Sequence, residues 1–122
     1  MSVTNKINVH LELAGLGEQE FVPMSMSTTT TVATKQHGYQ TQAVADTAEA
    51  LDLGGVSTAE YILVKCISND VDLDCNYSAA FSADITVQEG EFACFKPAGT
   101  VYIKNNDAGE QSVLEYWVLG SA

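Results

Sequence analysis

The side chains of this sequence that could do chemistry are two histidines, three cysteines and a group of closely spaced aspartates. His10 lies on the polar side of an alternating segment and His37 is expected in a loop, KQHGY, so neither is placed beside a nucleophile or a carboxylate. We interpret both as surface histidines. Cys66, Cys75 and Cys94 add no paired CxxC spacing of the kind that holds zinc. The sequence therefore predicts no metal site and no cofactor.

The aspartates Asp70, Asp72 and Asp74 recur at every second position, which superficially resembles a calcium-binding loop. An EF-hand loop needs a glycine at its sixth position and a glutamate at its twelfth, whereas here Asp74 is followed by Cys75 and Asn76. Alternation on the exposed face of a strand explains the same residues. We therefore interpret these aspartates as surface side chains.

Five aromatic side chains could instead form a platform for a sugar ring. Each lies within a strand-like run, where packing in the core or at an interface is the commoner use of an aromatic residue. They are Tyr61, Tyr77, Tyr102, Tyr116 and Trp117. A small carbohydrate-binding module therefore stays open as an alternative function. No acid and base with a defined geometry support an enzyme, and we predict that the protein is not one.

The composition restricts the partners of the chain. Sixteen acidic residues against five basic residues give a formal net charge of −11, which disfavours phosphate backbones and anionic membranes. We therefore expect neither nucleic acid nor a membrane as a partner. The longest apolar runs, such as residues 61–64, are far too short to span a bilayer. The first ten residues lack the features of a secretion signal, so we expect synthesis in a cytoplasm.

The clearest structural pattern is the stretch YILVKCIS, followed by Asn69-Asp70 and then VDLDCNYS. If Asn69 and Asp70 form a two-residue turn, the apolar faces of the two strands coincide. This register places Ile62 opposite Tyr77, Val64 opposite Cys75 and Cys66 opposite Leu73. We therefore predict a β-hairpin with one buried face. In this register Cys66 and Cys75 are diagonal neighbours on the buried face, about 7 Å apart. This distance is too long for a disulfide, so both are expected to be reduced core residues.

The N-terminal part predicts two further strands. Residues 6–13 alternate between polar and apolar side chains, which predicts a half-buried strand. Its apolar residues are Ile7, Val9, Leu11 and Leu13. Residues 20–27 predict a second strand, in which Pro23 indicates an edge or a bulge because proline cannot donate a hydrogen bond to a sheet.

The threonine run after this second strand is polar on both faces, so its own core cannot anchor it. Such a strand either lies at an edge or pairs with another chain, because its backbone groups still need partners. We therefore predict that the segment from Met24 to Thr47 contacts neighbouring subunits. The candidate interface residues are Thr28, Thr29, Thr30, Thr31 and Tyr39.

The C-terminal part reads as short strands separated by turn residues. Two more hairpins are predicted, one around Glu89-Gly90 and one that joins residues 101–104 to residues 113–119. About eight short strands without helical periodicity predict an all-β fold, either an antiparallel β-sandwich or a jelly-roll-like barrel. We expect a single β domain over residues 1–122. Residues 1–48 would supply N-terminal strands and an extended interaction segment, and residues 49–122 a compact β-sandwich core.

The order of segments from Ala50 to Ala122 resembles a small β protein encoded among the structural genes of tailed bacteriophages. The matching elements are the "LDLG" entry, the hydrophobic strand before Asn69-Asp70, the "V-x-E-G-E" turn, the "VYIKNN" strand and the "LEYWVLG" ending. They are structural motifs of moderate specificity and cover somewhat more than half of the chain. No catalytic residue is carried over by them.

The resemblance implies a role in the architecture of a virion. The implied function is a non-enzymatic structural protein, in the first place a decoration or cement protein of the capsid and alternatively a component of the tail or its fibres. Its partners would then be copies of itself and other virion proteins, such as the major capsid or tail proteins. Its location would be the virion, after synthesis in the host cytoplasm.

Overall fold

The computed structural model describes residues 2–13, 15, 20–31 and 33–122, which form β-strands and turns. The strands are β1 Ser2–Leu13, β2 Glu20–Thr31, β3 Ala33–Thr41, β4 Glu49–Ala50, β5 Thr58–Ser68, β6 Val71–Asp74, β7 Ile85–Val87, β8 Phe92–Phe95, β9 Tyr102–Asn105 and β10 Val113–Ser121. These residues include no helix that could cross a membrane. The prediction of an all-β, antiparallel fold is confirmed.

Two compact units divide the chain, Met1–Ala33 and Thr34–Ala122. The first contains the antiparallel hairpin of β1 and β2. The second contains two four-stranded sheets. This division differs from the predicted boundary after residue 48, because β3 is already a strand of the second unit and pairs with β10 at the other end of the sequence.

The two sheets of the second unit have the strand order of a jelly roll. Sheet I has the order β3-β10-β5-β8, and sheet II has the order β4-β9-β6-β7. Consecutive strands alternate between the sheets at every connection except the one from β6 to β7. The β-sandwich prediction is thereby confirmed and its topology is that of a double-sheet jelly roll.

The three predicted hairpins of the second unit are wrong. The chain passes from one sheet to the other at Asn69-Asp70, at Glu89-Gly90 and again between β9 and β10. Strands joined in this way face each other across the core instead of pairing edge to edge. Their apolar residues still point inward, which is why alternation alone could not reveal the difference. Asn69 makes its turn with a positive φ of 57°, and Gly90 has a φ of 85°.

The core lies between the two sheets, as the alternation predicts. Its buried apolar residues are Leu51, Val56, Ile62, Val64, Cys66, Val71, Leu73, Val87, Val101, Ile103, Leu114, Tyr116 and Val118. Four of the six residues predicted to share a buried face are in this set, whereas Cys75 and Tyr77 are half-buried. Asp74 differs from the prediction, because its side chain is buried and accepts hydrogen bonds from the loop that joins β6 to β7.

The connections that cross at one end of the sandwich are hydrogen-bonded to one another. The Asn69 amide Nδ2 donates to the carbonyl oxygen of Gln111 at 2.7 Å. The carboxylate of Asp70 accepts from the backbone N–H of Glu89 at 2.8 Å, and the Ser112 hydroxyl donates to the Asp70 carbonyl at 2.9 Å. The polar residues of this end are therefore used to hold the crossings in place.

Gln42 is fully buried at the end of the sandwich where these connections cross, and it forms hydrogen bonds with several of them. Its Oε1 accepts from the backbone N–H of Asn105 at 3.1 Å, and its Nε2 donates to the carbonyl of Thr47 at 2.7 Å. Its own backbone N–H donates to the carbonyl of Ser112 at 2.9 Å. Gln42, which lies within the predicted interaction segment of residues 1–48, is therefore part of the interior of the second unit.

Asp46 makes the stability of this end of the sandwich depend on pH. It has a positive φ of 65°, and its Oδ1 accepts from Asn105 Nδ2 at 2.8 Å and from the N–H of Gly109 at 3.1 Å. These two hydrogen bonds lower the pKa of Asp46 below its usual value of 3.8. A carboxyl group with a lowered folded-state pKa contributes stability above its unfolded-state pKa and loses that contribution as the pH falls through the folded-state pKa.

We expect Asp46→Asn to lower the melting temperature at neutral pH, because the charge-assisted hydrogen bonds are lost. The difference from the unsubstituted protein should narrow as the pH falls below 3.8, because the unfolded chain then binds a proton at Asp46 that the folded protein binds only at a lower pH. Thermal melts at about pH 7 and about pH 3 measure this. An equal difference at both pH values would contradict the assignment.

Candidate interaction surfaces

The histidines and cysteines considered for chemistry lie on different elements of the fold. His10 and His37 are exposed, on β1 and β3 respectively, so their interpretation as surface residues is confirmed, although His37 lies in a strand. Burial raises the pKa of both Cys66 and Cys75 to about 11, which leaves them as protonated thiols at neutral pH. Cys94 is exposed on β8.

Metal binding finds no support among the residues that the structure describes. In this part of the chain no three His, Cys, Asp or Glu side chains are grouped so that they could hold a metal ion. Asp74, which the calcium-loop comparison drew attention to, instead accepts from the N–H of Asn76 at 3.0 Å and of Ser82 at 2.9 Å. Its carboxylate therefore orders the connection between β6 and β7.

Most of the aromatic residues considered for a sugar platform are occupied within the fold. Tyr77 stacks on Tyr102 with ring centroids 3.6 Å apart. Tyr116 is buried in the core, and its hydroxyl donates to the carbonyl of Asp52 at 2.8 Å. Trp117 is stacked on His37 with centroids 4.7 Å apart and an interplanar angle of 4°. One face of the indole ring is thus covered by the imidazole.

The outward side of sheet I nevertheless carries an exposed apolar surface, which we name the aromatic face. Alternation along β10 buries Tyr116 and directs its neighbours Glu115 and Trp117 outward. Tyr39 is 67% exposed and Phe92 is 73% exposed. The aromatic face consists of His37, Tyr39, Leu63, Lys65, Phe92, Cys94, Glu115 and Trp117.

Strand register arranges the aromatic face in two rows across the sheet. In the first row, Trp117 is opposite Leu63 and Leu63 is opposite Cys94, while His37 stacks on Trp117 from β3. In the second row, Glu115 is opposite Lys65 and Lys65 is opposite Phe92. A hydrogen bond with Glu115 raises the pKa of Tyr39, which places Tyr39 at the β3 end of the second row.

A second apolar surface lies on the hairpin of β1 and β2, and we name it the hairpin face. Residue pairs that are directly opposite project to the same side of an antiparallel sheet. The register pairs Ile7 with Met26 and Val9 with Met24. Val9 is 54% exposed and Met24 is 66% exposed, and Leu11 and Met26 are exposed as well. The hairpin face consists of Ile7, Val9, Leu11, Met24 and Met26.

The predicted strand over residues 6–13 is confirmed, but its predicted half-burial is wrong for Val9 and Leu11. The hairpin is a two-stranded sheet, in which both strands are edge strands. Pro23 pairs with His10 without a register shift, as an edge position allows and without the predicted alternative of a bulge. A two-stranded sheet by itself is at best marginally stable in water, so the exposed apolar side chains of the hairpin face call for a partner.

The predicted interface residues fall on both units. Thr28 and Thr29 pair with Asn5 and Thr4 on β1. The register continues through Thr30 and Thr31, of which only the backbone is described. Tyr39 lies on the aromatic face instead, so the structure does not bring the five residues together. Sequence reasoning missed Phe92 and Glu115, whose outward direction follows only once β8 and β10 are known to share a sheet with β5.

Comparison of the chain with protein-family models, with curated proteins and with solved structures gives no match. The resemblance to phage structural proteins therefore stays a prediction, and the two surfaces are the basis on which function can be argued.

Proposed function

We propose that the chain is a non-enzymatic structural protein of a tailed-bacteriophage virion and that it serves as a capsid decoration protein. Its partners are copies of itself and other virion proteins, and neither nucleic acid nor a membrane is among them. The observation that carries the proposal is the hairpin face, an uncovered apolar sheet surface on a two-stranded unit. A hairpin of this kind gains its stability from a protein that packs against it.

The use of the buried polar groups supports a structural role. Gln42, Asp74, Asn105 and Ser112 are the buried polar residues among those described. Each of them forms hydrogen bonds with backbone groups of the connecting loops. Polar groups that are fully engaged in this way specify the fold of the loops and leave little capacity for binding a substrate.

Two alternatives accompany this proposal. A tail or fibre protein would have the same need for neighbouring subunits, and only the location in the particle separates it from a decoration protein. A small carbohydrate-binding module would use exposed aromatic rings, and Tyr39 is such a ring. The stack of His37 on Trp117 weighs against a sugar platform, because it covers a ring face that a sugar would need.

Mass spectrometry of purified particles tests the proposal, and a pair of hairpin variants makes it specific. Met24→Lys places a charge on the hairpin face, whereas Ser25→Lys places the same charge on the opposite side of the same strand. We expect Met24→Lys to reduce the copy number in particles at least about tenfold, because burying an unpaired ammonium group is costly. Ser25→Lys should be incorporated normally.

The proposal is wrong if the unsubstituted protein is absent from purified particles, or if both variants are incorporated equally. Particles separated into heads and tails before the measurement distinguish a decoration protein from a tail component. Glycan binding by a protein that particles lack would favour the carbohydrate-binding alternative.

A further inference from the structure

We propose that the aromatic face is the surface through which two copies of this chain associate, around a two-fold axis that runs parallel to the strands between β5 and β10. This inference deepens the part of the proposed function that makes copies of the chain each other's partners. It does not depend on where in a particle those copies lie.

The distribution of charge selects the aromatic face for self-association. The four strands of sheet I carry two lysines and two glutamates, so they contribute nothing to the net charge of −11. The end of the sandwich described above is acidic, with Asp46, Asp70, Glu89, Asp107 and Glu110 in its connections. Two copies repel each other least when they meet through a surface without net charge.

The second row of the aromatic face is complementary to itself when it is reversed. Its order across the sheet is Tyr39, Glu115, Lys65, Phe92. The proposed axis brings each row of one copy against the same row of the other copy, with the order of its residues across the sheet reversed. Glu115 of one copy then faces Lys65 of the other, twice, and Tyr39 faces Phe92, also twice. Opposite charges lie together in the centre, with an aromatic pair at either edge.

The first row pairs equally well under the same axis. Trp117 of one copy faces Leu63 of the other, and His37 faces Cys94. None of these four side chains is an acid or a lysine, so the row forms an apolar strip beside the charged pairs. Sheets packed face to face keep their strands roughly aligned, as an axis parallel to the strands requires.

The outward side of sheet I, of which the aromatic face is a part, is large enough for a pair of copies. Strands of 9, 9, 11 and 4 residues, at about 3.4 Å per residue and about 4.8 Å spacing, give roughly 540 Å² per copy before the relief of the side chains is counted. A biological interface needs about 1,000 Å² in total, which two such faces supply. The two-stranded hairpin face is only about half as wide, so it is the less suitable surface for a dimer.

Analytical ultracentrifugation of the full chain measures the association. We expect the unsubstituted protein to be a dimer, and Phe92→Lys to be a monomer at concentrations where the parent is paired. Ser82→Lys is the matched control and should stay dimeric, because Ser82 is an exposed residue of the loop that joins β6 to β7 in sheet II. Both variants reduce the overall repulsion between copies, so loss of the dimer in Phe92→Lys alone reflects the contact itself.

Mixing two charge-reversal variants tests the predicted opposition across the axis. Glu115→Lys alone brings four lysines together and Lys65→Glu alone brings four glutamates together, so each homodimer should be at least about tenfold weaker than the parent. In the mixed dimer every contact across the axis joins opposite charges. Mixing should therefore restore association, although the like charges within each copy remain unchanged.

The inference is overturned if the unsubstituted protein is monomeric, if Phe92→Lys remains dimeric, or if the two charge-reversal variants do not associate on mixing. Far-ultraviolet circular dichroism on each variant confirms that the exposed substitutions leave the fold intact. A dimer that particles lack would contradict the proposed function and leave this inference standing. A monomer found in particles would contradict this inference and leave the proposed function standing.

Discussion

Val64→Asp is expected to cause the largest loss of stability of any substitution considered, about 4 kcal/mol or more in the free energy of unfolding. Val64 is fully buried between the two sheets, and none of the residues in its core cluster carries a charge that could pair with a carboxylate. Placing an aspartate there costs about 4 kcal/mol or more, against a total stability of about 5–15 kcal/mol for a domain. Urea denaturation followed through the fluorescence of Trp117, the single tryptophan, measures the loss.

Ile67→Asp is the matched control for this experiment. Ile67 lies on the same strand as Val64, but it points to the outer side of sheet I and is 42% exposed. The same change from a branched aliphatic residue to aspartate should therefore cost about 1 kcal/mol or less. A comparable loss in both variants would mean that the two faces of β5 are assigned incorrectly.

The inward face of β5 could be predicted from the sequence, but its neighbours in the sheet could not. Alternation over Ile62, Val64 and Cys66 identifies the buried side whether the next strand pairs with β5 or crosses to the other sheet. A two-residue connection such as Asn69-Asp70 is compatible with both arrangements. The crossing is held by hydrogen bonds to Glu89 and Gln111, which lie 20 and 42 residues away along the chain.

The N-terminal hairpin shows a different limit of sequence patterns. Alternation correctly predicted a strand with Val9 and Leu11 on one side. It also predicted their burial, because an amphipathic strand normally covers the core of its own chain. Both side chains are exposed, and the pattern could not indicate whether the covering surface belongs to the same molecule.

The aromatic face could be predicted only in part. Tyr39 is among the predicted interface residues, and Trp117 is among the aromatic residues considered for a sugar platform. Their proximity to Phe92 and Lys65 depends on the order β3-β10-β5-β8, which joins strands from both ends of the second unit. Contacts between residues so far apart in the sequence leave no local signal.

Gln42→Leu is expected to cause the second-largest loss of stability. The substitution keeps the approximate volume of the side chain but removes both its acceptor and its donor. The N–H of Asn105, which is itself buried, and the carbonyl of Thr47 would lose their partner. An unsatisfied buried polar group costs about 1–3 kcal/mol, so we expect a loss of about 2–4 kcal/mol in the free energy of unfolding.

The same exchange at Gln88 provides the control for Gln42→Leu. Gln88 is an exposed turn residue, and its side chain is open to water, so Gln88→Leu should change stability by no more than about 0.5 kcal/mol.

Gln42→Glu provides a second test of the role of Gln42. It keeps an acceptor for Asn105 but sets a carboxylate oxygen against the Thr47 carbonyl, and burial raises the pKa of such a group. The stability deficit of Gln42→Glu should therefore shrink on acidification, as protonation restores a donor, whereas that of Gln42→Leu should not. If denaturation curves gave Gln42→Leu and Gln88→Leu the same stability, Gln42 would have no structural role and the end of the sandwich would be held by its other hydrogen bonds.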